Sequence, residues 1–128
     1  MTNIDWKHAF EKHGFHWSAE LDDFVREYGT RRELHFLDGS DQINLLKSSY
    51  IELGAQYGEY VVVSKYLQQR VAPVGDYHRL DVSLFLTETG RLIGSCDYLL
   101  ISWGDQHWRT AIPLILGGDT GFELGIVS

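Results

Sequence analysis

The chain is poor in the residues that build cross-links or membrane spans, with one cysteine, two prolines and one methionine among 128 residues. With Cys96 as the single cysteine, an internal disulfide is excluded, which suits a reducing compartment. No apolar run approaches the roughly 20 residues of a membrane-spanning helix. The first residues have neither the basic start nor the apolar centre of a signal peptide. We therefore expect a cytoplasmic protein without a membrane partner.

Basic residues are scarce as well, because 11 lysines and arginines stand against 18 acids, for a net charge of −7. This balance argues against direct binding of nucleic acid or an anionic membrane, and it is compatible with a basic protein partner. The alternative is that the charge only keeps the protein soluble. The acids are concentrated in residues 1–60, which hold 11 acids and six bases.

The composition is that of a globular chain, with 44% hydrophobic and 23% charged residues, and predicts one domain over residues 1–128. Residues 4–12 are predicted to form a first helix, which Gly14 ends. The segment "WSAELDDFVREYG" predicts a second helix, with Ser18 as its N-cap and Gly29 at its end. The alternating pattern of "RELHFLDG" indicates a strand after it.

The middle of the chain is ambiguous. The segment "INLLKSSYIELGA" fits either a strand edge or a helix. Three consecutive valines in "YGEYVVVSKYLQQRV" favour a strand, but Tyr60, Val63 and Tyr66 fit one helical face, so we predict a helix. We expect this helix to end before Pro73, and Pro73 and Gly75 to form the turn that follows it.

A three-stranded meander and a last helix are predicted after this turn. Apolar residues at every second position share one face of the first strand: Leu80, Val82, Leu84 and Leu86. Residues 88–90 make a hairpin turn to "RLIGS", and "YLLISW" is the third strand. The segment "GDQHWRTAIPLILGG" predicts a helix that is capped by Asp105 and kinked or shortened by Pro113. Residues 122–127 can add a strand.

The predicted order of elements is helix, helix, strand, helix, three antiparallel strands and helix. This order predicts an α+β fold, in which a single antiparallel sheet has helices packed on one face.

Five motifs in this order resemble the third subgroup of the SUKH superfamily of bacterial immunity proteins. They are Gly14 to Trp17, "DDFVREYGT" with Phe24 and Tyr28-Gly29, "PVG" at Pro73 to Gly75, "LFLTETGRLIG" with Gly90-Arg91, and Gly104-Asp105 with Trp108, Ala111 and Leu116-Gly117. The resemblance covers about residues 6–117 and leaves a tail, 118–128, outside it. Gly29-Thr30 stands where the family often has two glycines.

The resemblance implies a SUKH-like fold and a cytoplasmic immunity protein in bacterial competition. Such a protein binds and neutralises the cognate toxin domain of a polymorphic, contact-dependent toxin. These toxins are often nucleases, so a basic nuclease is one expected partner. The family supplies no catalytic residue, cofactor or metal to carry over, and its recurrent glycines and aromatics read as fold determinants.

Two sets of residues are candidates for catalytic or metal-binding chemistry. Cys96 with His78 or His107 would give a small cytoplasmic hydrolase a thiol and a base, although nothing around "GSCDY" is typical of one. His8, His13 and His16 lie close in sequence, but Gly14 separates them and no further ligand completes a tetrahedral metal set. We therefore expect a binding protein that is not an enzyme. A regulatory protein-interaction domain is the other alternative.

The partner surface is predicted on the second helix, where four acids are concentrated: Glu20, Asp22, Asp23 and Glu27. These acids would steer the chain onto a basic toxin surface. The alternative is that they only complement the helix dipole. Tyr77, close to the predicted turn, is the expected aromatic anchor.

Overall fold

The computed structural model describes residues 5–47, 51–52, 59–77 and 81–126. Within them, four helices accompany one seven-stranded antiparallel sheet, so the predicted α+β class is confirmed. In chain order the elements are α1 (Trp6–Lys12), α2 (Ala19–Tyr28), β1 (Glu33–His35), β2 (Gln42–Leu45), α3 (Glu59–Leu67), β3 (Val71–Tyr77), β4 (Val82–Thr87), β5 (Leu92–Cys96), β6 (Leu99–Ser102), α4 (Trp108–Leu116) and β7 (Phe122–Ile126). The strands lie side by side in sequence order.

The two N-terminal helices form where their end signals place them. A side-chain oxygen of Asp5 accepts from the His8 N–H to cap α1, while the predicted first residue of that helix lies outside the described residues. The Ser18 hydroxyl accepts from the Leu21 N–H, and Gly29 follows the last residue of α2. Both predicted helices are therefore confirmed over the described residues.

The largest correction concerns Pro73 and Gly75, which lie inside β3 and not in a turn. Strand β3 pairs with both β2 and β4, and its register shifts between these two residues, where a bulge tolerates the missing proline N–H. A side chain at Gly75 would collide with the Asn44 carbonyl oxygen. The turn prediction was wrong because Pro73, which often occurs in turns, lies here at a bulge, and Gly75 allows the close approach of β2.

Helices cover both faces of the sheet. On one face Val82, Leu84 and Leu86 are buried together with apolar residues of α1, α2 and α4. On the other face Val63 of α3 packs against a second buried cluster that contains Phe85. The expected one-face arrangement therefore holds for three helices, while α3 covers the opposite side. The predicted packing of the second and last helices on one face is confirmed.

The last helix begins later than predicted. His107 is its N-cap, and Asp105 instead accepts from the His107 N–H at 3.0 Å. The helix cannot start at Asp105 because Gln106 has a φ of 75°, outside the helical region. The helix continues through Pro113 and ends before Gly117. Strand β7 confirms the predicted tail strand, and no helix among the described residues is long and apolar enough to cross a membrane.

Candidate functional site

Trp108 joins three separate parts of the chain at the start of α4. Its ring is almost fully buried and packs edge-on against Phe24 and Tyr28 of α2, at centroid distances of 5.3 and 5.8 Å. Its backbone N–H donates to the Gly90 carbonyl oxygen at 3.0 Å. We call Glu20, Gly90, His107 and Trp108 the tryptophan hub. The hub fixes α2, the β4–β5 turn and α4 relative to one another.

Glu20 is the charged member of the tryptophan hub. Its Oε2 accepts from the Trp108 indole N–H at 2.9 Å and lies 3.1 Å from His107 Nε2. Because His107 Nδ1 accepts from the Arg109 N–H at 3.1 Å, the proton of the neutral ring sits on Nε2 and is donated to Glu20. A side chain at Gly90 would be strained by its φ of 91° and would displace the Glu20 carboxylate, since a Cβ would approach Glu20 Oε2 to 2.6 Å.

The four predicted acidic residues have different environments. Glu20 is held by the hub, so its carboxylate serves the fold. Asp22 pairs with Arg26 at 2.6 Å, and this hydrogen bond lowers the pKa of Asp22 and raises that of Arg26. Glu27 lies 3.3 Å from Arg31. Asp23 is exposed, with no hydrogen bond or ion pair to the described residues. The acidic surface is therefore reduced to the exposed side of α2 and is partly neutralised.

Tyr77 is not accessible as the predicted anchor. Its exposure is 3%, and its ring packs against Phe36 and Trp103 at centroid distances of 5.7 and 6.4 Å. The prediction depended on a turn after Gly75, whereas β3 continues to Tyr77 and turns this side chain into the core. The prediction of Tyr77 as a partner-binding anchor was therefore wrong, and this side chain belongs to the core.

The residues of the hydrolase alternative do not form a thiol–base pair among the described residues. Cys96 is half-buried at the end of β5, against the larger core cluster. Both ring nitrogens of His107 are engaged, by Glu20 and by the Arg109 N–H, which leaves neither to activate a thiol. His78 lies outside the described residues. Within the described ranges, no group of three or more His, Cys, Asp or Glu side chains is arranged to hold a metal ion.

An open cleft of about 660 Å³ lies beside β1, at the opposite end of α2 from Glu20. The sequence interpretation did not include this cleft. Among the described residues its lining carries more bases than acids: Thr30, Arg31, Arg32, Glu33, Leu34, His35, Lys47 and Leu116. The Arg32 guanidinium is 3.5 Å from the Leu46 carbonyl oxygen and 5.5 Å from the centroid of the Trp6 ring. The signal available in the sequence was the Arg31-Arg32 pair directly before a short strand.

Comparison of the chain with protein-family models, with curated proteins and with solved structures finds no match.

Proposed function

We propose that this chain is an immunity protein of the SUKH type, which binds and neutralises a cognate toxin domain without catalysing a reaction. The observation that carries the proposal is the tryptophan hub. Three of the segments on which the resemblance rests, residues 22–30, 84–94 and 104–117, meet there through Tyr28, Gly90 and Trp108. The resembling residues thus act together as one packing unit, which supports their reading as fold determinants.

The state of the polar groups favours binding over catalysis. Glu20 and His107 form the kind of carboxylate–imidazole pair that can serve a nucleophile, but each is already used inside the fold. Cys96 belongs to the edge of the core cluster. Contacts within the fold therefore explain the positions of Glu20, His107 and Cys96, and no substrate is needed to explain them.

Asp22, Asp23 and Glu27 are the acids of α2 that remain for a partner surface, and two of them, Asp22 and Glu27, are paired with arginines. Electrostatic attraction of a basic toxin to them would mainly raise the association rate, and salt would screen it. Because Asp22 already pairs with Arg26, Asp23 offers the cleaner test. We expect Asp23→Lys to slow association at low salt and to matter little at high salt. The reversal of both Asp22 and Asp23 to lysine should slow it further.

The function is tested by co-expressing the chain with the toxin domain encoded next to its gene. The expected result is restored growth and a stoichiometric complex. Association rates of Asp23→Lys are then compared with those of Glu11→Lys, which changes the net charge equally on the exposed side of α1. Equal rates for the two variants at low salt would move the interface away from α2.

A separate variant decides between the binding and hydrolase proposals. Cys96→Ser should leave both complex formation and protection intact, because the proposal gives the thiol no chemical role. Its fold is checked by circular dichroism. Loss of protection in a folded Cys96→Ser variant that still binds the toxin would support the hydrolase alternative.

A further inference from the structure

Strand β1 presents an open backbone edge. It is the first strand of the sheet, and within the part of the chain that the structure describes it pairs with β2 alone. The Arg32 carbonyl oxygen accepts from the Leu45 N–H at 2.7 Å, and the Phe36 N–H donates to the Asp41 carbonyl oxygen at 2.9 Å. Backbone groups alternate in direction along an antiparallel strand. The N–H and C=O groups of Glu33 and His35 therefore face away from β2.

The basic cleft borders β1, since all three residues of this strand line it. Its lining also includes Leu116 at the end of α4, whose carbonyl oxygen accepts from the Leu37 N–H at 2.9 Å. Its volume of about 660 Å³ is large enough for several residues of an extended peptide. The cleft therefore lies beside an edge strand and has room for a short peptide segment.

The charge of the cleft differs from that of the molecule. Of the residues that the structure describes, Arg31, Arg32 and Lys47 line it together with one acid, Glu33, whereas the whole chain has a net charge of −7. Arg31 keeps 64% of its side chain exposed, and its ion pair with Glu27 is 3.3 Å long. Such an exposed pair is weak, so a carboxylate that enters the cleft can compete for Arg31.

We infer that this cleft binds an extended acidic segment of a partner protein, which pairs with β1 as an added strand and places its carboxylates on the surrounding bases. Strand addition to a sheet edge takes affinity from backbone hydrogen bonds and specificity from side-chain contacts. A small anion cannot use the outward carbonyl groups of Glu33 and His35.

The inference rests on the proposed function in one respect: the toxin is taken as the partner protein that carries the acidic segment. The peptide measurement itself uses this chain alone. A chain that fails to protect against the toxin but binds the peptide refutes the proposed function and leaves the cleft in place. A chain that protects but ignores the peptide refutes the cleft alone.

The probe is a fluorescein-labelled octapeptide of alternating glutamate and valine, and binding is followed by fluorescence anisotropy. We expect saturable binding that weakens as salt is added. The same peptide with lysine in place of glutamate should not bind. Methylation of every internal amide nitrogen should weaken binding at least tenfold, because it blocks backbone pairing.

Two variants of the chain test the charge and the backbone edge separately. Arg31→Gln should weaken peptide binding about tenfold, through loss of a charge-assisted hydrogen bond. Its matched control is Arg26→Gln, which also removes an exposed arginine from an i,i+4 pair. His35→Pro removes an outward N–H, a change that edge strands accept, and should also weaken binding. Circular dichroism and thermal unfolding verify the fold of each variant.

Three results would overturn the inference. The first is an equal effect of Arg31→Gln and Arg26→Gln. The second is unchanged affinity for the methylated peptide, which would leave a simple anion site in the cleft. The third is displacement of the peptide by inorganic phosphate beyond the effect of sodium chloride at the same ionic strength.

Discussion

Replacement of Glu20 by alanine should destabilise the fold, although the sequence places this residue among the acids of a surface helix. Its Oε2 is the acceptor for the buried indole N–H of Trp108, at 2.9 Å, and a contact of His107 Nε2 at 3.1 Å. Removal of the carboxylate leaves the Trp108 N–H without its acceptor. We expect a lower free energy of unfolding, with no requirement for any partner protein.

The magnitude follows from the environment of the two groups. A hydrogen bond to a charged acceptor contributes about 1.5–3 kcal/mol, and an unpaired buried donor costs a similar amount. Trp108 is 1% exposed, but 29% of the Glu20 side chain is exposed, so water can reach the vacated site. We therefore expect a loss of about 2 kcal/mol for Glu20→Ala, which lowers the Tm by roughly 8 °C. Glu20→Gln retains an acceptor and should cost about half as much.

The assay is urea unfolding followed by tryptophan fluorescence, with a double-mutant cycle for the specific bond. Trp108→Phe keeps a ring against Phe24 and Tyr28 but removes the indole N–H. In that background Glu20→Ala should cost at least 1 kcal/mol less than in the native chain. Asp23→Ala is the control on the same helix and should stay within about 0.5 kcal/mol of the native value.

Additive effects of Glu20→Ala and Trp108→Phe would refute this reasoning, because they would show that the two side chains do not interact. Equal stability of Glu20→Ala and Asp23→Ala would do so as well. Either result would return Glu20 to the exposed acidic surface.

Three further predictions concern the sheet and its packing. Leu84→Ala should cost about 2–5 kcal/mol in urea unfolding, because the side chain is fully buried; a loss below 1 kcal/mol would contradict its core position. Ser95→Ala should leave the Tm unchanged or raise it, because within the described residues Ser95 Oγ is buried without a hydrogen-bonding partner; a lower Tm would reveal one. Burial raises the pKa of Tyr28 above its ordinary value of 10.0, so the stability that the neutral phenol contributes is present below that value and is lost as the pH rises through the raised pKa. Tyr28→Phe should therefore reduce the loss of urea resistance above pH 10, and an identical alkaline profile for both chains would disprove this.

Elements whose signals are local could be predicted from the sequence. Ser18 and Gly29 mark the two ends of α2, and both act as caps in the structure. The alternation of Val82 and Leu84 places these side chains in one core cluster. In each case the signal itself lies within a few residues: a cap bonds to the helix that it ends, and alternation along a strand places every second side chain on one face.

The parts that escaped prediction depend on contacts between distant residues. Pro73 and Gly75 are good turn residues in isolation, but pairing of β3 with β2 and β4 makes them a bulge and a close contact. The bond between Glu20 and Trp108 joins positions 88 residues apart, so no local pattern reveals that Glu20 is structural. The pairing of Asp22 with Arg26 was visible in their i,i+4 spacing.

The tryptophan hub also determines how α2 presents its charges to a partner. Glu20 holds the first turn of the helix. Beside it Asp23 is exposed and Asp22 is half-buried and paired with Arg26, while Arg31 follows the last turn. The ten residues of α2 make the helix about 15 Å long, with Asp22 and Asp23 in its first half and Arg31 three residues past its end. Because the hub fixes α2 on α4, the acids and Arg31 keep one orientation. A partner that contacts both ends must therefore carry a base and an acid at a matching spacing. Charge reversal at one end should slow its association less than reversal at both ends, and only at low salt.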